Sequence, residues 1–271
     1  MIEDLFFIEK HAYRQSPVHR LDARVKIVAA FTAIIAIVVV PYSPVVYQAG
    51  VVLLLFFAVL WGLSGLSPRI YVHRMALILP LWGTIILFQI FLKNPYSPEF
   101  HPVFTVLPGI YIYAESVGFA LILLTKFVVS VSFILLLSST TRMQDLLEGA
   151  SRMGLPPEFS LMLGMMVRYL FVFGYMFRKI QHSLATRCFD PFDHRLPYRY
   201  RLREIGYTIG TFFVRSYEQG ERTYTAMLCR GYGRHSHVFV AEKPLARRDW
   251  AFLAVGLAIP IAAAAVFSLP R

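Results

Sequence analysis

Two arginines set among small residues are the groups in this chain best placed for specific recognition. Ala185-Thr186-Arg187-Cys188 closes one long apolar-and-basic run, and Met227-Leu228-Cys229-Arg230-Gly231 closes another. A guanidinium is a planar fork of donors matched to carboxylates, and small flanking side chains let a partner approach it closely. Two readings compete. Each arginine could simply offset a helix dipole, with Gly231 ending the helix in a left-handed turn. Alternatively, two like helices, each tipped by such a fork, insert into acidic grooves on a soluble cytoplasmic partner.

Other constellations lead to weaker chemistry. Gly62-Leu63-Ser64-Gly65 has the Gly-x-Ser-Gly form of intramembrane serine proteases, which need a histidine in a later span. None of the eight histidines (11, 19, 73, 101, 182, 194, 235, 237) lies in an expected span, so these residues read as a helix end. Lys126 falls inside an apolar run and is a functional candidate by position, with pairing to a carboxylate or a polar cavity as the alternative. Asp190-x-x-Asp193-His194 and His235-Ser236-His237 carry metal-ligand types, but in polar loops where solvated turns are the simpler reading. Cys188 and Cys229 lack metal-ligand spacing and read as small packing residues in a reducing compartment. Gly231-Tyr232-Gly233 is too short for a phosphate-binding loop and lacks the following Lys-Ser/Thr. The expectation is a non-catalytic protein without metal or cofactor, with any ATP bound elsewhere.

The elements that must position the two arginines follow from composition. The chain of 271 residues is 57% hydrophobic and 16% charged, against about 25% charged in a soluble domain. It reads as an all-α integral membrane protein with about five transmembrane helices, because each crossing takes roughly 20 apolar residues. The runs are 25–40, 45–63, 75–92, 113–137 and 250–269, with Pro41-Tyr42-Ser43-Pro44 as the first turn. Glu3, Asp4 and Glu9 interrupt the opening run where a cleavable signal would be apolar, so the N-terminus is expected to stay.

Lysine and arginine are distributed unevenly. Five lie in residues 1–26 and seventeen in 138–249, whereas the 41–44 turn has none and the 93–112 connection only Lys93. The positive-inside rule places the N-terminus and 138–249 in the cytoplasm, and five spans take the C-terminus outside. The formal charge of +11 is then a topology signal with some attraction to anionic lipid, and nucleic acid is not an expected partner. Three parts result: 1–137 with the N-terminal segment and four spans, 138–249 with cytoplasmic helices, and 250–271 with the last span. Only Arg168 breaks the apolar run 159–177. Spanning there would export fourteen Lys/Arg, so the run is expected to lie at the cytoplasmic surface.

Within 138–249, Thr141-Arg142-Met143-Gln144 has capping-box form and opens a short amphipathic helix that Gly154 and Pro156 stop. After Pro157, Met162, Met165, Met166, Tyr169, Phe173 and Met176 recur at three and four residues, a stripe running towards Arg187. Flexible thioethers suit a surface that repacks against a moving partner, as they also suit an ordinary core. A third helix from about Leu202 carries Ile205, Ile209, Phe212, Ser216, Gly220 and Met227 on one side and ends at Arg230 and Gly231.

"SPVHRLDARVKIV", "MGLPPEFSLMLGMMVRYL" and the two arginine-centred stretches resemble the transmembrane T component of energy-coupling factor (ECF) transporters over nearly the whole chain. "HAYRQSPVHRLDARVK" with "VRYL" is most similar to its cobalt-uptake type, often called CbiQ. The resemblance implies long cytoplasmic coupling helices, each ending in an Ala-Arg-Gly motif whose arginine docks into a groove on one of two ABC-type ATPase subunits. It also implies a separate substrate-binding membrane subunit that holds the cargo, here cobalt for cobalamin biosynthesis, with nickel or a vitamin as alternatives. Arg187 and Arg230 match the family arginines. Of the flanks Thr186, Cys188, Cys229 and Gly231, only Gly231 keeps the family residue. Cysteine takes a left-handed backbone less readily than glycine, which leaves the geometry at Arg187 open. A membrane enzyme and a self-sufficient channel are the alternatives from other classes.

Overall fold

The computed structural model describes residues 16–91, 102–107, 110–191, 193, 196–233 and 245–268. The helices are α1 (Ala23–Val39), α2 (Val45–Ser64), α3 (Pro68–Phe91), α4 (Ala114–Thr140), α5 (Met143–Arg152), α6 (Pro157–Ala185), α7 (Tyr198–Cys229) and α8 (Arg247–Ser268). A hairpin of β1 (Pro102–Leu107) and β2 (Ile110–Tyr113), paired antiparallel, lies in the connection between α3 and α4. Sequence patterning marked 93–112 only as a connection and assigned it no element. The regular elements among the described residues are otherwise helical, and the five apolar runs fall on α1 to α4 and α8. Val45–Ser64, Glu115–Thr140, Glu158–Ala185 and Arg247–Phe267 are each long and apolar enough to cross a membrane. The described residues fall into two compact units, 16–153 with 245–268, and 154–233.

The first unit has the surface of a membrane bundle. Ala33, Ile37, Val46, Ala49, Leu53 and Val129 are fully buried, while Phe31, Leu55, Leu77 and Phe88 are exposed. Apolar residues inside and out are stable only where the surroundings are also apolar. Small residues bring the helices close: a Cβ at Gly256 of α8 would sit 3.0 Å from the Ala29 Cβ of α1. Phe57 anchors an aromatic cluster, its ring centroid 5.1 Å from Tyr71, 5.6 Å from Trp61 and 6.0 Å from Phe133. Arg74 of α3 donates to the Ser139 hydroxyl of α4 at 2.8 Å. Gly62 to Gly65 end α2, with Gly65 left-handed at φ 66°, as the punctuation implied.

Two buried lysines tie α1 and α4 together at opposite ends. Lys126 of α4 donates to Val38 O at 3.0 Å and Val40 O at 2.6 Å, the last carbonyls of α1. Its ammonium also lies 4.1 Å from the Tyr42 ring centroid. Lys26 of α1 donates in turn to Thr140 O, the last residue of α4, at 3.1 Å, and to His19 O at 3.2 Å. Terminal carbonyls have no partner inside their own helix, and an apolar medium supplies no water. Each helix therefore caps the other, and Lys126 does so through carbonyls rather than through a carboxylate.

The segment leading out of the bundle is pinned to the start of α1. Asp22 caps α1 by accepting from Arg24 N at 3.1 Å. Asp249, near the start of α8, accepts from Asp22 N at 3.2 Å and from Ala246 N at 3.0 Å. Arg152 of α5 pairs with Glu148 one turn earlier and lies 3.9 Å from Asp22. A Cβ at Gly149 would meet Ala23 Cβ at 3.0 Å and Arg24 N at 3.2 Å. The capping-box reading of α5 fails in detail. Arg142 occupies the N-cap without a side-chain bond, and the Thr141 hydroxyl is buried without a hydrogen bond among the described residues. Helix α5 is held against the start of α1 at Gly149 and Arg152, and its N-terminus has no side-chain cap.

Candidate functional site

The second unit is built from α6 and α7, of 29 and 32 residues. Both start immediately after a proline, Pro156 and Pro197, whose fixed φ and missing donor suit a helix entrance. Tyr169 of α6 hydrogen-bonds Thr223 of α7. Phe173 and Phe177 pack edge-on against Phe212, with centroids 6.0 and 5.9 Å away. Phe189, just past α6, meets Tyr200 at 6.2 Å. Later residues of α6 meet earlier residues of α7, so the helices run in opposite senses.

Both helices end in the same way. After α6, Cys188 N donates to Ala185 O at 3.0 Å and Phe189 N to Leu184 O at 3.1 Å. After α7, Gly231 N donates to Leu228 O at 2.9 Å and Tyr232 N to Met227 O at 3.0 Å. Cys188 and Gly231 are left-handed, at φ 56° and 82°. This is the Schellman pattern, drawn twice with the arginine directly before the left-handed residue. Cysteine adopts the conformation glycine would, at a cost of about 1–2 kcal/mol against a right-handed residue. Thr186, Arg187, Cys188, Cys229, Arg230 and Gly231 are all exposed, and both thiols are free.

The antiparallel arrangement separates the arginines. Arg187 lies two residues from Phe189, which touches Tyr200 at the start of α7, and Arg230 follows the far end of that helix. At about 1.5 Å per residue the two guanidiniums are roughly 45 Å apart. One socket cannot hold both, so the pair presents two separate attachment points of one design.

The methionine stripe divides. Tyr169 and Phe173 face α7, Met165 and Met176 are half-buried, and Met162 and Met166 are 69% and 60% exposed. On α7, Ile205, Phe212, Ser216 and Met227 are half-buried, whereas Leu202, Ile209 and Gly220, expected on the same side, are exposed. The opposite side of α7 carries exposed Tyr207, Phe213, Tyr217 and Tyr224. The Tyr217 hydroxyl donates to Glu221 at 2.9 Å, and this carboxylate holds the phenol above its usual pKa.

Sequence reasoning missed the aromatic closers Phe189 and Tyr232. They follow Arg187 and Arg230 by two residues, a repeat visible in "RCF" and "RGY". It also missed Thr223, whose partner is 54 residues away. Asp190 and Asp193 are described, but His194, His235-Ser236-His237, Lys93 and residues 1–15 lie outside the described residues. No group of three metal-ligating side chains occurs among the described residues.

Known proteins align with this architecture. The family model described as CbiQ, cobalt transport protein, matches residues 14–239. An uncharacterized protein of Methanocaldococcus jannaschii is 26% identical over 263 residues, spanning 95% of this chain and 85% of the relative.

Proposed function

Since this chain belongs to the CbiQ cobalt transport protein family, we propose that it is the transmembrane coupling subunit of an energy-coupling factor importer, most simply one for cobalt ion. The observation that carries this reading is the matched pair of helix ends, each exposing an arginine before a left-handed residue, about 45 Å apart. Two attachment points of the same design fit two copies of a soluble partner, and the partner chemistry that suits an exposed guanidinium is an acidic groove. The ATP-binding subunits of an importer supply two such copies. When ATP draws them together, α6 and α7 move as levers on Arg187 and Arg230. Met162 and Met166, exposed and flexible, then repack against the substrate-binding membrane subunit. The chain itself carries out no catalysis and holds no cofactor in this scheme.

Purification of the full chain from its native cells tests the scheme. Two ATPase copies and one further membrane protein should accompany it. Isolation alone, together with unaided cobalt movement in liposomes, would identify a channel and end the proposal.

The proposed orientation has the N-terminus and residues 138–249 in the cytoplasm and the C-terminus outside, at the cell membrane. Helix α6 is long and apolar enough to cross, yet the fourteen Lys/Arg that follow the 159–177 run favour a surface position. In a background lacking Cys188 and Cys229, single cysteines at Ser43 and Ser97 should react with an impermeant reagent from outside, and one at Ser236 should not. Outside labelling at Ser236 in intact cells would mean that α6 spans.

A further inference from the structure

A large cavity lies away from the residues of the arginine-tipped helix ends. It is a groove of about 1010 Å³ in the membrane bundle, running between the second half of α2 and the first half of α8. Its walls are Phe56, Val59, Leu60 and Leu63 on one side and Phe252 and Val255 on the other. Val59 and Leu63 are 60% and 54% exposed, so the walls are open to whatever surrounds the bundle. Both helices are long and apolar enough to cross a membrane, and acyl chains are the material at that depth.

One end of the groove is different. Arg20, Arg247 and Arg248 line it there, Arg247 and Arg248 being exposed in the first turn of α8. Asp249 caps that helix start by accepting from Ala246 N at 3.0 Å, so the positive character of this end rests on the arginine side chains. The carboxylate in the groove lining, Asp249, is buried and accepts from the backbone N–H groups of Asp22 and Ala246. An apolar trough that ends in three guanidiniums is the complement of an amphiphile with apolar tails and an anionic head.

We propose that this groove binds one anionic phospholipid, its acyl chains between α2 and α8 and its phosphate on Arg247 and Arg248. Basic pockets between spanning helices at the positively charged membrane face select anionic headgroups in this way. The bound lipid sits where α2, α8 and the 16–21 segment meet, and neither Arg187 nor Arg230 lines this groove. The proposal does not depend on the coupling reading.

Native mass spectrometry of the full chain, offered equal amounts of phosphatidylglycerol and phosphatidylcholine with the same acyl chains, tests it. One phosphatidylglycerol should be retained with about tenfold preference. Arg247→Gln with Arg248→Gln should bring the preference close to unity, and the double Lys variant, which keeps the charge, should preserve it. Val59→Trp adds bulk at an exposed wall position without entering the core, and it should lower the retention of the lipid. Equal retention of both lipids, a preference unchanged in the Gln variant, or retention unchanged in Val59→Trp would overturn the proposal. So would phosphatidylglycerol retention that appears only after removal of residues 1–15, since that segment would then be the occupant.

Discussion

Replacement of Arg187 and Arg230 together by alanine will release the proposed ATPase subunits and stop ATP-driven uptake, while the chain remains folded in the membrane. Losing one partner of a desolvated, hydrogen-bonded charge pair costs about 2–5 kcal/mol, or roughly 30- to several-thousand-fold in affinity. A solvated helix-end cation contributes only about 0.3–1 kcal/mol. The gap between those ranges lets co-purification, ATP hydrolysis and uptake distinguish the two readings. The variant is also clean. Both side chains are exposed, and the bonds that close each helix run between backbone atoms, so truncation leaves the ends intact. Each single variant should lose one attachment point, to a similar degree, because Cys188 reproduces at Arg187 the left-handed turn that Gly231 provides at Arg230. Arginine-to-lysine changes should rescue poorly, since an ammonium keeps the charge but loses the planar fork. If the double alanine variant holds its partners and transports at the unmodified rate, the arginines are ordinary helix-end cations.

Lys126→Met should destabilise the bundle strongly while leaving its apolar core untouched. The methionine fills similar space but leaves Val38 O and Val40 O without their donor. An unsatisfied buried acceptor costs about 1–3 kcal/mol. The contact with the Tyr42 ring adds about 0.5–2 kcal/mol to the loss, and relief from burying a charge offsets part of the total. A net destabilisation of about 2–4 kcal/mol follows. It should appear as a lower thermal unfolding midpoint in detergent and as aggregated material on size exclusion. Lys126→Arg retains the donors and should stay close to the unmodified protein. If Lys126 instead served an ion path, Lys126→Met would abolish transport with an unchanged midpoint, and that result would remove the structural role assigned here.

What the sequence determined by itself is what depends on near neighbours along the chain. Each of the five apolar runs lies within or close to a long helix, although α3 begins seven residues before its run, and three of these helices together with α6 are long and apolar enough to cross a membrane. Pro157 and Gly65 marked helix boundaries, because their backbone preferences are their own. The two arginine motifs were legible for the same reason: a helix end is closed within about six residues.

The tertiary structure decided what depends on residues far apart. Lys126 looked like a lone charge in a span until the end of α1, 86 and 88 residues away, supplied its acceptors. Lys26 found Thr140 O at a separation of 114 residues. The close approach of α5 to Ala23 and Arg24 at Gly149 had no mark in its local capping-box form. The methionine stripe had one periodicity, but the partner helix α7 took up Tyr169 and Phe173 and left Met162 and Met166 exposed. Periodicity states that a face is apolar; only packing states what covers it. The separation of Arg187 and Arg230 by about 45 Å likewise arises from the antiparallel course of two long helices, and no spacing in the sequence distinguishes that from two arginines side by side.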